Sequence, residues 1–295
     1  MTLVQLTDGD WAAAVDMRGG GLHSLTWRGD HIVERASLGD RPGAWDGRVL
    51  APWPNRLASG RYEFDGASYS VPVNEPARDN ALHGLVWALD WDVVDTSPSA
   101  VQLRVALDPS PGYPWRLDLA AHYSVGRDGL TVRFAATNRS DRTAPFGCGF
   151  HPYLRAPGGS LNDCQLSFRA HDQLDVTPER LLPRGTSTVG GGPFDFATSR
   201  LVGTTVLDTA FAALARDDTG RARLTLRGPD GSPEVTCWWD ASFPWLQLYT
   251  PGSEPRARIA VEPMTCPADA FNSGVDLIRL APGGTWSGSL GIATT

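Results

Sequence analysis

The chain has 295 residues, a formal net charge of −7, a hydrophobic share of 41% and a charged share of 20%, an ordinary globular balance without a tract biased toward disorder. All 26 basic residues are arginine, and without lysine there is no Schiff-base chemistry, no Walker-type phosphate loop and no lysine base. An acidic chain with dispersed arginines also lacks the electrostatic footprint of a nucleic-acid binder, so the expected partner is a small molecule.

The opening MTLVQLTDGDWAAAV has no basic segment followed by an apolar run, and no later stretch approaches the length of a membrane span, so a cytoplasmic location without membrane contact is expected. Gly19-Gly20-Gly21 is followed by no credible helix and reads as a turn, as does Gly190-Gly191-Gly192. The first clear two-residue alternation is Arg61 to Phe64, a turn at Asp65-Gly66, then Ala67 to Val73, which predicts a hairpin. A second hairpin is predicted from Leu117–Val125 and Leu130–Phe134 about a turn at Asp128-Gly129, and a third about Asp230-Gly231 before Val235–Trp239. Cysteines 148, 164, 237 and 266 form no C-x-x-C pair, which argues against a zinc ribbon or a redox motif and for four buried thiols. No segment of 12 or more residues keeps helical spacing behind a cap. With 32 glycines and 23 prolines punctuating short strands, the expected architecture is all-β, a large antiparallel β-sandwich forming a single domain over residues 1–295, with loops supplying the chemistry.

Six segments set a titratable or hydrogen-bonding side chain beside turn residues or aromatics: Pro54-Asn55-Arg56, Leu82-His83-Gly84, Gly149-Phe150-His151-Pro152-Tyr153, Leu207-Asp208-Thr209-Ala210-Phe211, Pro244 to Thr250 around Gln247, and Ala260-Val261-Glu262-Pro263. Singly, each also has a structural reading. His83 could cap a turn, His151 could be a satisfied core histidine, Asp208 a turn aspartate, Arg56 a surface arginine and Gln247 a cross-strand contact. Glu262 is harder to explain structurally, because it closes the apolar run Ile259-Ala260-Val261 and precedes a proline that holds it extended. A carboxylate at the end of a buried strand needs partners or a task, and burial raises its pKa into the range of a general base.

In order, N-R, L-H-G, G-F-H-P-Y, L-D-x-x-F, W-L-Q-L-Y-T and V-E-P-M resemble the aldose 1-epimerase (galactose mutarotase-like) family from about Asn55 to Gly291. The resemblance implies a galactose mutarotase-like supersandwich and interconversion of the α and β anomers of a free hexose, with no metal or cofactor. By motif position it implies Glu262 as base on the anomeric hydroxyl and His151 as acid on the ring oxygen. Arg56, His83, Asp208 and Gln247 fall at the positions that bind the sugar. A monomer or homodimer is expected.

Two positions depart from galactose-type members: Leu85 stands where a second glycine follows L-H-G, and Pro152 where serine follows the histidine. These lean toward the bacterial H-P-Y subgroup, which includes relatives acting on sulfonated sugars, so an anionic hexose is an alternative substrate. Arg78 and Arg155 are then candidates for its charge. Trp53, beside Asn55-Arg56, is the candidate platform for the sugar's apolar face, with core as its structural alternative. A non-catalytic carbohydrate-binding module and a glycoside hydrolase using Glu262 and Asp208 are the other readings.

Overall fold

Strand alternation organises the molecule, and the computed structural model describes it over residues 3–34, 36, 45–229, 232–252 and 256–295. Leu117–Gly126 is the plainest case, with Leu117, Leu119, Ala121, Tyr123 and Val125 buried and every second residue facing outward. It belongs to a nine-stranded sheet that runs in the order 92–97, 100–107, 117–126, 129–138, 285–294, 234–239, 222–227, 165–168 and 200–201. The second sheet has twelve strands. Its central path places Tyr153–Leu154, Ile259–Met264, Trp245–Tyr249, Asp208–Leu214 and Ala170–Val176 side by side, and Gly149–Phe150 joins Ile259–Met264 from the Val49–Leu50 side.

All pairings between these strands are antiparallel. One core cluster draws on both sheets, with Leu6, Leu25, Leu248 and Val261 from one and Leu103, Leu119, Val132 and Phe134 from the other. The Phe134 and Phe150 rings meet edge to face across it, 5.6 Å between centroids. Among the described residues the α-helix content is one turn, Ala270–Ser273, and no helix is long and apolar enough to cross a membrane. The four cysteines are buried free thiols.

The first predicted hairpin forms as expected. Asp65 (φ 50°) and Gly66 (φ 79°) are both left-handed, as a type I′ turn requires. In the second, Gly126 pairs with Gly129, so the two-residue turn is Arg127-Asp128, one position earlier than expected. Gly129 instead opens the return strand at φ 107°, where a Cβ would lie 2.2 Å from the Ile292 carbonyl oxygen. The third hairpin pairs Ala222–Arg227 with Glu234–Trp239, and its predicted turn at Asp230-Gly231 lies outside the described residues.

One expectation about a strand end is corrected. Glu262 does not close its strand, which runs Ile259–Met264 and is buried throughout. Val261 donates to the Pro152 carbonyl, so by alternation the nitrogen of Pro263 faces the same side. There the neighbouring strand is broken between Phe150 and Tyr153, so a residue with no N–H is tolerated in the middle of a sheet. The same break lets His151 leave the sheet beside Glu262.

Candidate active site

Register puts the polar residues on one face. Gln247 is paired with Ala210 on one side and Glu262 on the other, while Asp208 pairs with Tyr249 and Ala260 with Tyr153. Because side chains alternate, Asp208, Gln247, Tyr249, Glu262 and Tyr153 share the face opposite Leu246, Leu248 and Val261, which go to the core. This face is the floor of a cavity of about 300 Å³.

A small ribbon supplies the wall. Arg56–Ala58 pairs with Asn80–Leu82, Arg56 opposite Leu82, so the residues flanking that pair, Asn55 and His83, are also brought together. Both are left-handed, at φ 55° and 63°, a conformation that asparagine and histidine reach more readily than most side chains. His83 N–H donates to the Asn55 carbonyl at 2.9 Å, and Asn55 N–H donates to His83 Nδ1 at 3.1 Å. The next residue, Gly84, has φ 73° and packs so closely that a Cβ would sit 2.1 Å from the Ala51 carbonyl oxygen.

Floor and wall are tied by a chain of hydrogen bonds. Asn55 Nδ2 donates to Gln247 Oε1 (3.3 Å), and Gln247 Nε2 donates to Asp208 Oδ1 (2.7 Å). Arg56 donates through Nε and Nη2 to the two oxygens of Glu75 (3.0 and 3.2 Å) and lies 3.8 Å from Asp208 Oδ2. Such a fork fixes the guanidinium plane. Glu75 also lies 3.5 Å from Arg78, so one carboxylate faces both cations that line the cavity.

His151 Nε2 lies 3.2 Å from Glu262 Oε1, with the two side chains 5% and 2% exposed. The second atoms of the pair, His151 Nδ1 and Glu262 Oε2, are buried with no hydrogen-bond partner among the described residues. Burial is the largest influence on both groups. It pushes Glu262 well above the usual carboxylate range, helped by Asp208 and opposed by Arg56. It lowers His151 to about 3. Both shifts disfavour the charged form of each group. Burial likewise raises Asp208, against the pull of Arg56, and lowers His83 well below the usual histidine range, helped by His151 and Arg56. The His83 and His151 rings meet edge to face at 5.4 Å, and Trp45 lies against His83 at 5.1 Å. One ligating atom from each of His83, His151 and Glu262 lies within 4.8 Å of the others, a donor set of the kind that binds divalent metals.

All six residues singled out in the sequence, Arg56, His83, His151, Asp208, Gln247 and Glu262, line this one cavity. A family model described as aldose 1-epimerase matches residues 2–293. The chain belongs to the aldose 1-epimerase family. Within reach of that family, it is 34% identical to the uncharacterized protein YihR of Escherichia coli over 95% of this chain and 89% of the relative. It is 24% identical to the aldose 1-epimerase of E. coli over 70% of this chain and 63% of that one. Among solved structures, a galactose mutarotase-like protein from Clostridium acetobutylicum superposes with a TM-score of 0.88 at 17% identity, covering 99% of this chain and 95% of the other. The GalM/aldose epimerase homologue from C. elegans gives 0.87 at 18%, covering 100% and 98%. The sandwich is thus the galactose mutarotase-like fold of the family.

Two side chains considered for contact with the sugar do not reach the cavity. Trp53 is core: its indole is 3% exposed, donates to the Ala81 carbonyl and packs on Phe271. The tryptophan on the cavity is Trp45. Arg155 bonds Glu34 at 2.9 Å and does not line the cavity, whereas Arg78 does. Asn55, Glu75, Tyr153 and Tyr249 also line it without having been assigned roles. Tyr249 was within reach of strand periodicity, two residues beyond Gln247. Glu75 sits alone in a connection and carries no local signal.

Proposed function

We propose that the chain is a mutarotase that interconverts the anomers of a free, neutral hexose by acid–base ring opening, with Glu262 and His151 as the proton-transfer pair. The observation that carries this is the buried contact of 3.2 Å between His151 Nε2 and Glu262 Oε1 on the floor of a cavity otherwise lined by hydrogen-bonding side chains.

Ring opening needs a base on O1–H and an acid on the ring oxygen. The neutral pair, carboxylic acid beside imidazole, and the ion pair, carboxylate beside imidazolium, contain the same single proton. When a bound sugar contacts both groups, the Glu262–His151 pair takes up its ion-pair form. Glu262 removes the O1 proton as His151 protonates the ring oxygen, the C1–O5 bond breaks and the carbonyl forms. The open-chain aldehyde then faces a carboxylic acid and a neutral imidazole, the uncharged forms that burial favours. Rotation about C1–C2 and reversal of the transfers close the other anomer and restore the pair. General acid–base transfer of this kind is worth about 10²–10⁴-fold in rate. Arg56, His83, Asp208 and Gln247 hold the hydroxyls and ring oxygen, which adds the advantage of fixed orientation.

A neutral hexose is favoured over an anionic one because the cations that line the cavity already face carboxylates: Glu75 engages Arg56 through both its oxygens and lies 3.5 Å from Arg78, and Asp208 lies 3.8 Å from Arg56. A binding module would have no use for a histidine and a glutamate so deeply buried, a costly pairing for affinity alone. The test is anomer exchange. Freshly dissolved α-D-glucose and α-D-galactose, followed by optical rotation or anomeric proton signals, should equilibrate faster with the protein than in buffer. No acceleration on these or any other aldose contradicts the proposal.

A further inference from the structure

The donor set formed by His83, His151 and Glu262 invites a metal, yet one hydrogen bond decides against it. A backbone N–H is only ever a donor, so the Asn55 amide at 3.1 Å requires His83 Nδ1 to be an unprotonated acceptor. Turning the ring over would bring a C–H against that N–H, and the mutual bond from His83 N–H to the Asn55 carbonyl holds the two backbones in place. A neutral imidazole with Nδ1 occupied in this way carries its proton on Nε2. Nε2 has no protein partner among the described residues and is not among the sealed polar atoms, on a residue that lines the cavity.

We infer that the Asn55 backbone amide locks His83 as the Nε2–H tautomer, a neutral hydrogen-bond donor to an oxygen of the bound sugar, and that the cluster is therefore not a divalent-metal site. A metal on Nε2 would move the proton to Nδ1, where it would point at the Asn55 N–H. For the same reason His83 cannot act as a second base. Asn55 is thus a positioning residue twice over, through its amide on His83 and through its side chain on Gln247. The identity of the oxygen acceptor rests on the mutarotase reading, whereas the tautomer does not.

Two-bond ¹H–¹⁵N correlation spectra of the histidine-labelled full chain at neutral pH test the tautomer directly, with His83→Gln identifying the signal. The expected pattern is a protonated Nε2 and an acceptor-type Nδ1; the reverse pattern, or an imidazolium, overturns the inference. Titration of the wild-type protein with Co²⁺ should show no visible d–d band. A stoichiometric band that disappears in both His83→Gln and His151→Asn overturns it. If the wild type turns over an aldose, His83→Gln, which keeps an N–H donor, should retain about tenfold more kcat/KM than His83→Phe, in line with one hydrogen bond. Equal values overturn the donor role. A wild type inactive on every aldose refutes the mutarotase reading while the spectra still decide the tautomer.

Discussion

The two sheets share a core but use it differently. In the nine-stranded sheet, Leu117–Gly126 alternates buried and outward residues along its whole length, and its outward side chains are ordinary surface. In the twelve-stranded sheet, Trp245–Tyr249 and Ile259–Met264 are buried on both faces, one against the core and one beneath the cavity. The second face holds Gln247 and Glu262, polar groups that a core would exclude. One sheet is built for packing and the other bears a desolvated site, and substitutions in the two should fail in different ways.

The largest effect is expected for His151→Asn. Its exchange rate should fall by about 10²–10⁴-fold while the circular dichroism of the sheet is unchanged; a drop of less than about tenfold would mean that His151 is not the acid. Phe134→Ala, in the packing sheet, should do the reverse. Loss of a buried ring that contacts Trp91, Phe150 and Trp286 should cost about 3–5 kcal/mol in urea unfolding, with kcat of the folded fraction retained. If it abolished turnover at full stability, the division between the sheets would be wrong.

The site should also carry a pH signature that the packing sheet lacks. Glu262 is raised above its unfolded pKa of about 4.3, so the native state keeps a proton that the unfolded chain releases. Wild-type stability therefore declines as pH rises from that value toward the folded pKa, and Glu262→Gln should gain on wild type across the same window. His151 runs the opposite way. Its folded pKa of about 3 lies below an unfolded value of about 6.5, so its stabilising contribution is lost as pH falls between the two. Thermal melts from pH 4 to 8 check both slopes, and parallel curves for wild type and Glu262→Gln would contradict the burial account. The smallest effect is expected for Trp45→Ala, which should raise KM several-fold with little change in kcat, as removal of a wall that binds ground and transition states alike. A fall in kcat alone would place Trp45 closer to the chemistry.

The packing sheet was the easier half to read from sequence. Alternation needs only local pattern, and the hairpin Leu117 to Phe134 follows from it, with a one-residue error where Gly129 serves a close backbone approach rather than the turn; the separate two-stranded hairpin at Asp65-Gly66 follows in the same way. Strands buried on both faces lose that pattern. Glu262 could be recognised as anomalous, but the continuation of its strand through Pro263 depends on a break in the neighbouring strand far away in sequence. His151, His83 and Asp208 are unremarkable until motif order joins them, and the structure brings them to one cavity. Glu75 and the Asn55 amide bond to His83 were invisible because each depends on a ribbon that only folding assembles. Of the two readings of Trp53 the core one holds, since nearness to Asn55-Arg56 in sequence says nothing about which way an indole points.

The central claim is that Glu262 is the base of a proton-transfer pair. Its most direct test is the exchange rate of an aldose that the wild type turns over, measured with Glu262→Gln beside the sugar's affinity by titration. The account predicts a rate lower by about 10²-fold or more with affinity within a few-fold of wild type. Undiminished exchange by Glu262→Gln would contradict it.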